Sequence, residues 1–327
     1  MMEVSILIGV PGCGKSTFSK ELLKIKRNCV ILSSDEIRSN LSITKAKNTN
    51  YVFSIFFDKL FKLLDEGKNI IIDSTNIERS NRIKLIKKIK DYKRDINVVG
   101  YLFDTPYDII MDRMKFRDRK VPDYIVKKYL SKFDFPLLSE GFDNIEFVHE
   151  KELIKYNIDK NEFINIVSSK SDYENLYKVL NKSKIFSDIY KFNQENIFHN
   201  YFLCEHTFNV YDYVNNLYLG SNEESLFKMQ VASLFHDLGK PLTKVYKENR
   251  GYYSYFGHEH VSSLITLNFL LELEFDKEFI VDVIKIIDFH MLMSYGGKEG
   301  ENEIYHLCGT ETLVDLYFFK EADVFAK

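Results

Sequence analysis

Up to about residue 150, short apolar runs alternate with stretches of helical periodicity. Val4-Ser5-Ile6-Leu7-Ile8 is an apolar run that ends at glycine, the pattern of a buried parallel strand. A helix is predicted from Ser16 to about Lys26 and a second strand at Cys29–Leu32. Helical spacing then runs from Tyr51 to Glu66 and stops at Gly67, a C-cap signal. Ile70–Ile72 predicts a third strand ending at Asp73, Ile96–Phe103 a fourth, and Ile145–Val148 a fifth. This alternation implies an α/β domain, a parallel sheet with helices on both faces and ligands at the carboxyl ends of its strands. Beyond about residue 155 strand-like runs almost vanish. Apolar residues recur at helical spacing through 197–219, 224–238, 258–273, 276–291 and 310–326, which predicts an all-α domain. The polar, Lys- and Asn-rich stretch 151–195 reads as linking helices, so the expected domains are 1–150 and 196–327.

Composition agrees with two globular domains. The chain has 327 residues, 45% hydrophobic and 28% charged, with 27 Phe and 21 Tyr to bury. Only 14 Gly and 5 Pro exclude a collagen-like or low-complexity chain. No run of about 18 apolar residues is present, so no membrane span is predicted. The N-terminus has an acid and a Gly-rich turn where a signal peptide needs a basic start and an apolar stretch. A cytoplasmic protein is expected. Cys13, Cys29, Cys204 and Cys308 lie far apart, without a CxxC pair, which excludes a disulfide framework or zinc knuckle. The net charge of −3 excludes a whole-protein basic field for nucleic acid. A local basic groove is still allowed, with 82–94 and 113–120 as candidates, although the first reads equally as a solvated helix face.

Gly9-Val10-Pro11-Gly12-Cys13-Gly14-Lys15-Ser16 fits GxxxxGK[ST] between a strand and a helix. The glycines let backbone N–H groups turn toward phosphate oxygens, and the helix N-terminus adds partial positive charge. Lys15 can reach the β- and γ-phosphates and Ser16 can hold Mg²⁺. Gly9, Gly12, Cys13, Gly14, Lys15, Ser16 and Thr17 are therefore the candidate residues for ATP, or another nucleoside triphosphate, with Mg²⁺.

The acceptor is not defined by that loop. Ser33-Ser34-Asp35-Glu36-Ile37-Arg38 follows the second strand on the active rim. Asp35 can accept a hydroxyl proton, or Ser34 or Asp35 can merely cap a helix. Arg38, three residues on, shares the helix face and can hold an acceptor phosphate. Asp73 ends the third strand, where it can orient Mg²⁺ or simply close a turn. The basic segment Arg113–Lys120 can fold over a triphosphate or stand as an exposed charged loop. Together GVPGCGKST, SSDEIR, DSTN with ERSNR, and FDTPYDIIMDRMKFRDRKVP resemble the 5′-hydroxyl polynucleotide kinase family over about residues 1–135. The resemblance implies Asp35 as general base, Arg38 on the 3′-phosphate of the terminal nucleotide, Lys15 and Ser16 on ATP and Mg²⁺, and Arg113 and Arg117 as lid arginines. Arg119 can replace Arg117, because the lid spacing is slightly short.

All but one of the 8 His follow residue 195. His236-Asp237 ends an apolar helix, His206 lies on the preceding helix, His258 opens the next, His290 closes another, and Asp323 is on the last. Imidazole and carboxylate from several helices is how bundles build metal sites. This order, with Gly257-His258-Glu259, resembles the HD phosphohydrolase superfamily, over about 196–327. By that resemblance His206, His236, Asp237 and Asp323 form a primary metal site, and His258 and His290 a second one bridged by Asp237. One or two ions of Mn²⁺, Ni²⁺, Co²⁺, Fe or Zn²⁺ suit such ligands, and they lower the pKa of water and polarise phosphoryl oxygens. Lys240 can steady a substrate phosphate, His260 reads as a helix-face histidine, and His149, His199 and His306 have no evident role.

One half would add phosphate to a hydroxyl and the other would remove it. On a broken strand that pairing makes sense, because the two ends need opposite treatment. Proteins combining these two families are an end-healing type. The resemblance thus implies phosphorylation of 5′-OH ends and hydrolysis of 2′,3′-cyclic, 2′- or 3′-phosphate ends of RNA or DNA. No ligase lysine motif is apparent, so a separate ligase would seal, and no membrane is involved. The alternative is a small-molecule or nucleoside kinase fused to a nucleotide phosphohydrolase. A further alternative makes the HD half an inactive nucleic-acid-binding module.

Overall fold

The computed structural model describes residues 2–117, 120–195 and 201–326. Its contacts divide the chain into two compact units, one of residues up to Tyr129 with Pro136–His149, the other of Leu130–Phe135 with the residues from Glu150 on.

The first unit is built on β1 (Met2–Ile8), β2 (Cys29–Ser33), β3 (Asn69–Asp73), β4 (Ile96–Phe103) and β5 (Asn144–Val148). All pair in parallel in the order β2-β3-β1-β4-β5. The Ile and Val side chains of β1 and β3 are buried on both faces, so these strands read as continuous apolar runs. The connecting helices are α1 (Lys15–Ile25), α2 (Ser34–Ser39), α3 (Ile43–Lys47), α4 (Thr49–Asp65), α5 (Arg79–Tyr92), α6 (Tyr107–Lys115) and α7 (Asp123–Leu130). Val52, Phe56, Leu60 and Leu64 recur every four residues along α4 and form its buried face. The Ser33–Asp73 register brings the ends of β2 and β3 level, beside the loop that leaves β1.

The basic stretch 82–94 is not a continuous cationic face. Arg82 is wholly buried, and its guanidinium forks onto both Glu140 carboxylate oxygens at 2.7 Å. Its remaining nitrogen donates to the Asn76 and Ile77 carbonyls at 3.0 and 2.7 Å. Arg79 is buried as well, 3.6 Å from Glu140. Arg79 and Arg82 lie three residues apart on the face of α5 that also buries Leu85, Ile86 and Ile89. Arg82→Ala strands the buried Glu140 carboxylate and is expected to cost about 3–5 kcal/mol of stability, read as a lower denaturant midpoint.

In the second unit, 151–195 contains three short helices, α8 (Lys160–Ser168), α9 (Tyr173–Leu180) and α10 (Lys184–Ser187). It is packed rather than extended, with Phe163 against Phe235 and Phe269 at ring distances of 6.0 and 5.1 Å. The helices α11 (Leu203–Leu217), α12 (Glu223–Phe235), α13 (Lys240–Thr243), α14 (His258–Glu272), α15 (Lys277–Tyr295) and α16 (Gly297–Phe325) follow. The second unit is helical, with one short hairpin besides. Between α13 and α14 stands an antiparallel hairpin, β6 (Val245–Lys247) and β7 (Tyr252–Ser254), whose three-residue strands are too short to show a period. The pattern at 310–326 coincides with the second of two helical segments of α16, which meet at a kink at Gly309 (φ 84, ψ 179). None of the described helices is long and apolar enough to cross a membrane.

Candidate active sites

The phosphate loop follows β1, and the Gly9 N–H is fixed to the Thr75 carbonyl at 3.0 Å. Gly12 and Gly14 take φ values of 93° and 105°, which only glycine adopts freely. Gly9 is excluded from bearing a side chain by packing, since a Cβ there would sit 2.5 Å from Cys13 Sγ. Lys15 is buried, and its ammonium donates to the carbonyls of Gly9 and Val10 at 2.7 and 2.9 Å. Reaching a phosphate requires it to leave those carbonyls. Ser16 and Thr17 are exposed at the start of α1. Cys13 is buried, and its carbonyl accepts from Thr105 at 2.9 Å and from Arg113 at 3.3 Å. Arg113 thus reaches from α6 back to the loop. Arg117 is exposed past the end of α6, while Arg119 lies outside the described residues.

On the same rim, Asp35 is exposed in the first turn of α2 and Arg38 is half-buried in its last. The cap is Ser33, whose side chain accepts from Glu36 N at 3.4 Å, so neither Ser34 nor Asp35 caps α2. Ser34 instead pairs with Ser74 at 2.8 Å, tying the ends of β2 and β3. Asn76, at φ 47°, donates to the Leu7 carbonyl at 2.8 Å, so the DSTN turn is fastened to β1.

In the second unit the distant histidines converge. His206, His236 and Asp237 offer ligand atoms within 4.8 Å of one another, and so do Asp237, His258 and His290. All five are buried. Asp323 Oδ1 is 3.2 Å from His206 Nε2 and 3.7 Å from His236 Nε2. Every ring is oriented alike. Nδ1 faces the carbonyl of Ala326 from His206, of Ser233 from His236, of Tyr255 from His258 and of Ile287 from His290, at 3.1, 2.9, 2.8 and 2.7 Å. A carbonyl only accepts, so each Nδ1 carries its hydrogen and each Nε2 is turned inward, as in metal-ligating histidines whose other nitrogen donates to a carbonyl. Nε2 atoms then meet in pairs, His206 with His236 and His258 with His290, both at 3.3 Å. Two Nε2 atoms this close need a proton or a metal ion between them. Asp237 Oδ2 has both first-pair nitrogens at 3.3 Å and the Lys240 ammonium at 2.6 Å, yet none approaches it in hydrogen-bonding geometry. Its Oδ1 is 3.0 Å from His258 Nε2. The donor set therefore fits one or two divalent ions.

Electrostatics agrees with this. Burial pulls His236 down, but the Asp237 and Asp323 carboxylates outweigh burial and raise it to about 9. Burial and the neighbouring His258 and His236 push His290 down to about 3. Asp237 and Asp323 stay well below the usual carboxylate range despite burial, because imidazoles face them. An ion entering near pH 7 therefore displaces the His236 proton. Metal affinity is expected to fall as pH drops from about 9, with proton release seen by calorimetry in buffers of different ionisation enthalpy. An affinity flat across pH 6–9 would contradict this.

Lys240 is buried and held between Asp237 and Gln194 Oε1 at 2.8 Å. His260 is not a free helix-face residue, since its Nδ1 meets Asp288 at 2.9 Å. His149 pairs with Asp104 at 2.6 Å at the β4–β5 rim. Gln194, Asp288 and Glu140 had no motif to announce them, and only their burial beside charged groups identifies them.

Residues 4–136 match the AAA domain family and residues 203–326 the HD domain family. The chain thus joins a P-loop kinase-type domain to a helical HD domain. Among curated proteins it is 29% identical over 191 residues to L-seryl-tRNA(Sec) kinase of Methanococcus maripaludis, covering 57% of this chain and 74% of that one. It is 24% identical to the bifunctional polynucleotide phosphatase/kinase of Schizosaccharomyces pombe, over 47% of this chain and 35% of the relative. With the CC-adding tRNA nucleotidyltransferase of Thermus thermophilus it shares 35% identity over 21% of this chain and 16% of the relative. Chains in structures of the Pnkp1/Rnl/Hen1 complex and the Pnkp1/Rnl/Hen1 RNA repair complex match at 22% and 20% identity, with TM-scores of 0.32 and 0.36. They cover 49% of this chain each, and 50% and 53% of theirs.

Proposed function

We propose that this chain is a bifunctional end-healing enzyme acting on nucleic acid, RNA foremost, in a cytoplasmic setting. The P-loop half moves the γ-phosphoryl of ATP to a 5′-hydroxyl. Lys15 and Ser16 hold the triphosphate and Mg²⁺, Asp35 takes the hydroxyl proton, and Arg38 on the same helix holds the acceptor's 3′-phosphate. Arg113 and Arg117 neutralise charge over the transferring group. The HD half hydrolyses 2′,3′-cyclic, 2′- or 3′-phosphate ends. His206, His236 and Asp323 hold one ion, His258 and His290 another, and Asp237 both. When bound, the ions supply polarisation of the phosphoryl oxygen and an acidified water. Lys240 neutralises Asp237 and faces the substrate phosphate, and a separate ligase seals the healed ends.

The observation carrying this reading is the presence, in one chain, of a phosphate loop with an acceptor rim and a buried His–Asp cluster built for divalent ions. The likeness to the phosphatase/kinase relative supports it. One observation favours a second reading: the seryl-tRNA kinase matches over more of its length, which suits an acceptor hydroxyl other than the 5′-OH of a strand end. Labelled ATP offered with 5′-OH oligonucleotide, nucleosides and seryl-tRNA separates the two. Label confined to nucleosides or seryl-tRNA would remove the end-healing reading.

A further inference from the structure

Six residues of the second unit come from inside the first half of the sequence. Leu130–Phe135 runs from the last residue of α7 toward β5, and its Leu130, Phe133 and Phe135 side chains are buried. The segment meets the start of α14 at Ser131. Ser131 packs against Gly257, where a Cβ would overlap the Ser131 carbonyl and lie 2.7 Å from its Cβ. His260, two residues past His258, is tied to α15 by Asp288 at 2.9 Å. Residues 257 and 260 bracket His258, whose Nε2 stands 3.0 Å from Asp237 and 3.3 Å from His290.

We propose that Leu130–Phe135 is a positioning element of the His258–His290 metal position, seating the first turn of α14 so that His258 meets Asp237. This rests on the reading of His258 and His290 as metal ligands. A metal site needs its ligands held to a few tenths of an ångström, and a helix start has only its preceding residue and first turn to hold it. Here the preceding residue is Gly257, where the left-handed φ of 79° and the Ser131 backbone both disfavour a side chain. The other position draws on α11, the end of α12 and α16, so it should be indifferent to this contact.

The test uses the full chain loaded with Mn²⁺, with ions per chain counted and spin coupling between neighbouring ions read by electron paramagnetic resonance. Wild type should take two ions, one for each of the two ligand groups, and show coupling. Gly257→Ala should keep one ion, lose coupling and still unfold cooperatively. Gly251→Ala is the control, because Gly251 has φ 74° but open space around it, and it should keep both ions. If Gly257→Ala does not fold, Ser131→Val crowds the same contact from the other side and should give the same loss. Two coupled ions in either folded variant, or equal loss in Gly251→Ala, would overturn the inference. A wild type taking one ion would also overturn it, while one taking none would remove the phosphohydrolase reading as well.

Discussion

Asp237→Ala is expected to lower phosphate release at least 10³-fold, roughly the several kcal/mol that divalent ions supply to phosphoryl chemistry. The variant should also emerge with little bound metal. Asp237 is the one residue in both ligand groups, with Oδ2 facing His206 and His236 and Oδ1 facing His258. Without it, one carboxylate, Asp323, is left among four inward-facing imidazoles, and the buried Lys240 ammonium loses its partner at 2.6 Å. Both effects disfavour a further cation. Oligonucleotides ending in 2′-, 3′- and 2′,3′-cyclic phosphate, assayed over a metal panel, would read the loss and identify the preferred end. Phosphoryl transfer by the P-loop half should be unchanged. Release at the wild-type rate would sink the metal assignment, and a wild type that releases nothing would favour a binding role for the HD half.

Asp35→Ala is expected to reduce phosphoryl transfer by about 10²–10⁴-fold, the range for loss of a general base. ATP affinity should stay near wild type, because the triphosphate cradle is formed by Gly9–Ser16 after β1, not by α2. The structure makes this substitution a clean one. Ser33 supplies the cap of α2, and Asp35 is exposed, so alanine removes neither the cap nor buried packing. Single-turnover transfer to a 5′-OH oligonucleotide, with nucleotide binding measured separately, distinguishes a lost base from a lost site. Transfer at an undiminished rate would mean that another group takes the proton.

Much of the first unit was legible because its signals are local. A buried strand is a run of Val and Ile, and a phosphate loop is a fixed spacing of Gly, Lys and Ser. Both patterns follow from backbone geometry within a dozen residues, as β1 and Gly9–Ser16 show. The helices of the second unit were legible for the same reason, and its clustered histidines by their place at helix ends. The hairpin β6–β7 was not, since three residues cannot display an alternation. Arg82 reads as surface charge in sequence and is core in the fold, because its partner Glu140 is 58 residues away.

The chain by itself thus determines the order of strands and helices, the phosphate loop, and which residue types are available to bind metal, all through short-range periodicity and spacing. Only the tertiary structure decides that four imidazoles turn their Nε2 atoms inward, that Lys240 sits on Asp237, and that Leu130–Phe135 joins the second unit. These depend on contacts between residues tens to more than a hundred positions apart, such as Ser131 with Gly257 and His206 with Asp323. No local pattern encodes such pairs. They are set when buried polar groups must find partners as the core closes.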